Sequence, residues 1–407
     1  MSDTGAVPQD SELPGLDDLI NSTHQIGERA VREVRTAEKN GQLSDELVQD
    51  ISDARLIQIL QPKRLGGLEM GFPDLVKVGI SLGQYDVSAA WIANILGIHH
   101  WWGALTTPQF QEELWGDNPH TLFADAFAPM GVGEAVEGGY VVSGVWPFAS
   151  GIPWSDWYAG GTLVHSDDGQ PPRLLMCFVP KDEYTVKKDW DTVGMRGTGS
   201  CSVEVDKVFV PEYRTLDFGA IMAGGGDMPG HECNTGAIYK VPVVAGLAVS
   251  LIPPVVGGAR GSLESFKQRM KERTPTFTDQ QQDQLSTQHV LLAESKVRVD
   301  FAENMLLNYA EELMTLGSAI EQGESPDLTE FSIRVAGWRA QLAKECRGVT
   351  SDLFQNAGAG AIYMDSPMQR FWRDTHAISQ HAVMNHDTIM RNYGRELSGQ
   401  EMFAGLV

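Results

Sequence analysis

Cysteine is scarce in this chain: Cys177, Cys201, Cys233 and Cys346 stand far apart among 407 residues, with no CxxC pair. That spacing speaks against a disulfide framework and a zinc ribbon, and a reducing cytoplasm fits it. Basic residues are also few, 31 Lys plus Arg against 54 Asp plus Glu, for a formal net charge of −23. Such a balance opposes polyphosphate backbones and anionic lipid, so neither nucleic acid nor a membrane is an expected partner. No run of about 18 apolar residues occurs. The start, MSDTGAVPQDSELPG, is acidic and polar instead of basic then apolar, so it does not read as a leader, and the first dozen residues are expected to fray. Neither GxGxxG nor GxxxxGK stands between a strand and a helix, which argues against a dinucleotide fold and a P-loop. The triplet Gly224-Gly225-Gly226 sits in a loop and is given no role.

What is present is periodicity that changes twice. From Leu16 to about Leu114 apolar residues such as Ile20, Ile26, Ala30 and Val34 recur at threes and fours, as in helices. The stretch Asp86 to Leu105, DVSAAWIANILGIHHWWGAL, is apolar almost all round and reads as a helix buried on most faces. Its polar exceptions, Asn94, His99 and His100 beside Trp101 and Trp102, are either satisfied core groups or the lip of a pocket for a flat, partly polar ligand. After Pro119 the period becomes two, in Thr121–Ala128, Tyr140–Trp146, Trp157–Val164, Arg173–Val179 and Ser202–Val210, with turns at Glu137-Gly138-Gly139 and Asp167-Asp168-Gly169. From about Val241 helical spacing returns. Phe331, Val335, Trp338, Leu342, Cys346, Val349 and Leu353 form one apolar stripe, and Val290, Val297, Phe301, Met305, Tyr309 and Leu313 are the expected facing stripe. A chain this long is expected to hold two or three packed sub-domains. The fold class is α+β, divided as an N-terminal helical domain (1–118), a central β-domain (119–228) and a C-terminal helical bundle (229–407).

Near the C-terminus, AGAGAIYMDSPMQRFWRDTHAISQHAVMNHDTIMRNYG reads as a glycine-rich turn followed by a helix. Ser366 is the expected hydroxyl cap, Pro367 the first helical residue and Gly394 the stop. His376, His381 and His386 recur at fives. On one helix that spacing turns successive side chains by roughly 140°, so the three cannot chelate one ion, and most of them read as ordinary polar residues.

Three stretches resemble acyl-CoA dehydrogenases: Trp146-Pro-Phe-Ala-Ser-Gly151, Val193-Gly-Met-Arg-Gly-Thr-Gly-Ser200 with Val208-Phe-Val-Pro211, and Gly358-Ala-Gly with Arg370-Phe-Trp-Arg-Asp374. The order helices, β-domain, bundle matches as well, over about residues 15–395. The resemblance implies a central β-barrel or sandwich and a C-terminal four-helix bundle. Dehydrogenases of this fold need a carboxylate base, often in a Tyr-Glu-Gly-Thr motif. Eight residues beyond Asp374 that position holds Ala382, with His381 beside it.

His381 together with WPFASG resembles a different branch, the oxygenase components of two-component flavin monooxygenases acting on p-hydroxyphenylacetate and on an aromatised steroid ring. This resemblance implies loosely bound reduced flavin (FMNH2 or FADH2) from a separate NAD(P)H-dependent reductase, O2 as co-substrate, a C4a-hydroperoxide, and hydroxylation of a phenolic or indolic molecule by a homotetramer. On it, Trp146 and Phe148 lie along the flavin, sharing a strand face that Ser150 continues, and Ser150 accepts the flavin N5 proton. The alternative for Ser150 is a turn serine. His381 donates to the oxygen being transferred. His99 takes the phenolic proton, and Trp101, Asp125 and His381 border the substrate, Asp125 being otherwise a turn-facing carboxylate. Arg273 matches the flavin-phosphate arginine, or is a solvated helix-end residue. Asn356 and Gly358 approach the flavin across a subunit boundary, and Arg196 reads as structural. The alternatives are an acyl-CoA dehydrogenase with a displaced carboxylate and a degenerate scaffold that binds no flavin.

Overall fold

The computed structural model describes residues 13–165, 171–222, 228–276 and 278–403. The first twelve residues, the Asp167-Asp168-Gly169 turn and the Gly224–Gly226 triplet lie outside the described residues. Five helices come first: α1 (Leu16–Asn40), α2 (Asp45–Asp53), α3 (Phe72–Gly83), α4 (Val87–Gly103) and α5 (Pro108–Trp115). Seven strands follow: β1 (Phe123–Val136), β2 (Gly139–Trp146), β3 (Trp157–His165), β4 (Arg173–Pro180), β5 (Thr185–Lys187), β6 (Ser202–Pro211) and β7 (Thr215–Asp217). The chain ends in α6 (Phe218–Met222), α7 (Val243–Val249), α8 (Pro253–Glu272), α9 (Ser286–Glu321), α10 (Leu328–Asn356), α11 (Pro367–Ile378) and α12 (His386–Leu397).

The strands form one sheet in the order β5-β6-β2-β1-β3-β4-β7, and only β1 and β3 run parallel. Alternation along a strand sends neighbours to opposite faces. In β4, Met176 and Phe178 join the core shared with the helices, while Leu175, Cys177 and Val179 join a second core on the other face. In β1, Phe123 joins the helical core and Ala124 and Ala126 the second one, so the intervening Asp125 points toward the helices. That placement matters, because α4 lies there.

Helices α8, α9, α10 and α11 pack together, and α3 and α4 pack against α8. Where α3 crosses α8, Gly83 meets Gly257 so closely that a Cβ on Gly257 would strike the Gly83 backbone. The stretch Val243–Glu272 is long and apolar enough to cross a membrane by composition, but 78% of that apolar window is buried inside this fold.

Three expectations change. The C-terminal histidine stretch is two helices and not one: α11 ends at Ile378, a 3-10 turn covers Ala382–Met384, and α12 begins at His386. Ser366 precedes α11 without capping it, its hydroxyl unpartnered, and Gly394 lies inside α12. On α9, Val290, Val297, Phe301 and Met305 are exposed, while Val299, Ala302, Leu306, Tyr309 and Leu313 make the buried seam. Small Ala302 and Ala310 let α9 approach its neighbours, and an apolar-residue count passes over them. The α10 stripe is buried as expected, Trp338 only partly.

Candidate active site

All seventeen residues of α4 are buried. Those that keep some exposure include Ser88 (5%), Trp91 (7%), Ile95 (7%) and His99 (2%), at spacings of three and four. These four share one stripe of the helix.

At one end of that stripe the indole N–H of Trp91 donates to Ser150 Oγ at 2.9 Å. Ser150 Oγ lies 2.8 Å from Ser200 Oγ, which lies 2.7 Å from Thr198 Oγ1. Thr198 in turn donates to the Met195 carbonyl at 2.9 Å. A carbonyl can only accept, and this fixes the direction of every proton in the row. Thr198 spends its proton on Met195, so Ser200 donates to Thr198 and Ser150 to Ser200. With Trp91 donating to it, the Ser150 oxygen keeps one lone pair and no proton to offer, a pure acceptor.

Across from it, the His381 ring lies 6.2 Å from the Trp91 ring. Its Nδ1 accepts from the Val383 N–H at 3.4 Å at the start of the 3-10 turn, which leaves the proton on Nε2. The residue is exposed in area, yet enough protein lies around it to disfavour the charged ring. Desolvation foremost, then the Arg339 charge, pushes its pKa down to about 4, with Asp125 acting the other way. The imidazole is thus neutral at pH 7 and an N–H donor. Arg339, buried, donates to the Val383 carbonyl at 2.6 Å and holds the turn.

At the other end of the stripe His99 is fixed on both nitrogens. Nδ1 lies 2.6 Å from the Phe123 carbonyl and Nε2 lies 3.1 Å from Asp125 Oδ2, which also accepts from Trp102 Nε1 at 2.9 Å. His100, next along, is sealed against Trp115, and desolvation pushes it down to about 3.

A third group lies at the bundle. Gly358 has φ +78°, and a Cβ there would collide with the Arg273 guanidinium. Arg273 donates to Gln282 Oε1 at 2.9 Å and to the Asn356 carbonyl at 3.3 Å, while Arg269 donates to the Ala357 carbonyl at 2.6 Å. Two cations at a glycine turn suit a phosphate.

Trp91 thus links Ser150 to His381, His99 pairs with Asp125, whose charge is felt at His381, and Arg273, Asn356 and Gly358 are brought to one another. Three expected residues sit elsewhere. Trp101 is fully buried on the far side of α4, edge-on to Phe72 and donating to the Ile238 carbonyl, because two residues beyond His99 a helix has turned by roughly 200°. Trp146 is sealed in the second core over Gly131, Gly144 and Gly160, its N–H on the Gly161 carbonyl. Phe148, at φ +67°, lies beyond the end of β2 and is exposed, so the alternation through Trp146, Phe148 and Ser150 does not exist. Sequence alone gives no role to Trp91, names Trp102 only as an aromatic beside the histidines, and carries Thr198 and Ser200 only inside a motif. Their signal was a polar-capable atom on an apolar helix or in a glycine-rich loop, which no spacing rule picks out.

The fold defines a protein of the acyl-CoA dehydrogenase type. Residues 249–386 match the family model described as acyl-CoA dehydrogenase, C-terminal domain. The oxygenase subunit HsaA of a flavin-dependent monooxygenase from Rhodococcus jostii is 31% identical over 361 residues, 86% of this chain and 91% of that one. The oxygenase component of an FADH2-dependent resorcinol hydroxylase from Rhizobium sp. is 26% identical over 98% of this chain and 99% of that one. The crystal structure of the HsaA monooxygenase from M. tuberculosis superposes with a TM-score of 0.88 at 28% identity, covering 97% of this chain and 100% of the other. The chain belongs to the family of oxygenase components of flavin-dependent monooxygenases, which use reduced flavin and O2.

Proposed function

We propose that an opening between α4, the Ser150 loop and the His381 turn takes up reduced flavin from a separate NAD(P)H-dependent reductase and an aromatic molecule carrying a hydroxyl or an indole N–H. The flavin, when bound, supplies activation of O2 and delivery of one oxygen atom to the ring. The observation that carries the reading is the row of hydroxyls with one direction. It leaves Ser150 as a fixed acceptor, which suits the N–H that reduced flavin presents and that must be held for oxygen transfer to outrun peroxide release. His381 Nε2–H is the matching donor for an oxygen atom. The Phe148 ring, free of the core, is available to lie along the isoalloxazine, and Arg273 with the Asn356–Gly358 turn is the seat for the phosphate. Each residue acts by geometry or by holding a proton, and sealing the cleft excludes water.

Binding of a partner copy supplies the rest of the assembly. The exposed α9 stripe of Val290, Val297, Phe301 and Met305, at spacings of seven, four and four, needs a cover, and a homotetramer of this chain provides one. A cytoplasmic location fits the free cysteines.

The test is an anaerobic titration with reduced FMN and reduced FAD, followed by O2 in the presence of resorcinol, reading flavin absorbance and ring product. Tight binding of one reduced flavin and a hydroxylated ring are expected. Protein that instead purifies with oxidised FAD and is bleached by an acyl-CoA overturns the reading in favour of a dehydrogenase.

A further inference from the structure

The His99 and Asp125 pair poses a problem of proton count. The Phe123 carbonyl is only an acceptor, so His99 Nδ1 must carry hydrogen. A neutral imidazole then has no hydrogen on Nε2, yet Nε2 sits 3.1 Å from Asp125 Oδ2, an oxygen that already accepts from Trp102. Two lone pairs facing each other at that ion-pair distance would repel, so the contact is favourable when the pair holds one further proton. His99 and Asp125 are a unit holding that proton, and both ring nitrogens are spent inside it. With a side chain 3% exposed, His99 has no lone pair to turn toward a substrate.

Asp125 differs. Among the described residues no donor reaches its second oxygen, Oδ1, and its side chain keeps 11% exposure. Oδ1 is also absent from the sealed, unpartnered polar atoms, a set that includes the Tyr158 hydroxyl on the other face of the sheet. Strand alternation aims Asp125 at α4, and its charge is felt at His381.

We propose that Asp125 Oδ1, and not His99, receives the hydroxyl proton of the aromatic substrate. His99 is the positioning residue that, anchored on the Phe123 carbonyl, holds Oδ2 in place. This rests on the aromatic-hydroxylase reading above. As the new carbon–oxygen bond forms, the substrate O–H bond breaks toward Oδ1 and its electron pair feeds the ring. When the ring carbon then loses its hydrogen to solvent as a proton, the ring regains its electrons and Asp125 returns its proton to the original oxygen. The added oxygen atom comes from O2 with electrons from reduced flavin, both supplied by the family's activity. The charged or titratable groups around the pair are His381, with Arg339 acting on it, His100 next to His99 on α4, and Tyr158 across the sheet.

The test uses the full chain with reduced FAD under argon and 4-cyanophenol as probe, at a pH well above the probe's own pKa. Calorimetry in two buffers of different ionisation heat counts the protons taken up as the phenolate binds. Uptake close to one proton is expected for the wild type and for His99→Asn, whose amide can still donate to the Phe123 carbonyl, and no uptake for the isosteric Asp125→Asn. Uptake kept by Asp125→Asn and lost by His99→Asn makes His99 the acceptor and overturns the proposal while leaving the hydroxylase reading intact. Failure of the wild type to bind any phenol overturns both. In single turnovers Asp125→Asn should hydroxylate phenols about 10²–10⁴-fold more slowly and release hydrogen peroxide instead. His99→Asn should show a smaller loss and a displaced pH profile. Opposite outcomes in the two variants separate proton transfer from misfolding.

Discussion

Ser150 shows how one atom's chemistry is decided by residues that never touch a ligand. Its acceptor character descends from the Met195 carbonyl through two hydroxyls, and its position is held by Trp91. Ser150→Ala should raise hydrogen peroxide released per O2 consumed. Trp91→Phe should raise it less, and the double variant should match Ser150→Ala alone, since both act through one oxygen. Additive leakage, measured by a peroxidase-coupled assay, would count against the row. A second residue-scale effect concerns Asp374. Desolvation, then the nearby Asp86 carboxylate, pushes its pKa up to about 7, against a hydrogen bond from the Met195 N–H at 2.7 Å. The folded form therefore binds the proton more tightly than the unfolded chain. This group's contribution is fully present below its unfolded pKa and fades as pH rises through about 7. Asp374→Asn, neutral at every pH, should keep the contact and raise Tm relative to wild type at pH 8.5 more than at pH 5.5. An equal change at both, by calorimetry, removes the assignment.

At the scale of elements, the 193–197 loop is locked onto α11. Arg373 donates to the Val193 carbonyl at 2.7 Å and pairs with Glu38 of α1, and a Cβ on Gly194 would run into the Arg373 carbonyl. Gly194→Val should cost roughly 1–3 kcal/mol, the usual overpacking cost, by denaturant unfolding. Thr198 and Ser200 follow directly on this loop, so peroxide leakage should rise with it. Most of the elements could be read from the chain. β2, β3 and β4 matched their period-two runs within a residue or two, and α4 announced its burial by being apolar all round. The break between α11 and α12 could not be read, because nothing in Ser379–Asn385 is a strong helix breaker. Arg339, from a helix some forty residues earlier, fixes that turn through the Val383 carbonyl. His99 and Asp125 each stood out as polar residues in apolar surroundings. Their pairing, and so the division of labour between them, needed strand and helix brought together.

At the scale of the molecule, the exposed α9 stripe predicts association. Phe301 is 72% exposed at its centre. Phe301→Glu should shift the assembly to smaller species by light scattering while leaving the far-ultraviolet helical signal unchanged. An unaltered mass would place the subunit contact elsewhere.

The Arg339 guanidinium has carbonyl and phenol oxygens around it but, among the described residues, no carboxylate within ion-pair distance. Its charge is felt at His381, as is that of Asp125 with the contrary effect. On the proposed reading, an aromatic ring bound beside His381 meets both charges, so a substituent repelled by one is drawn to the other. The isomer ratio among products from meta- and para-substituted phenols then becomes a compass for the two charges.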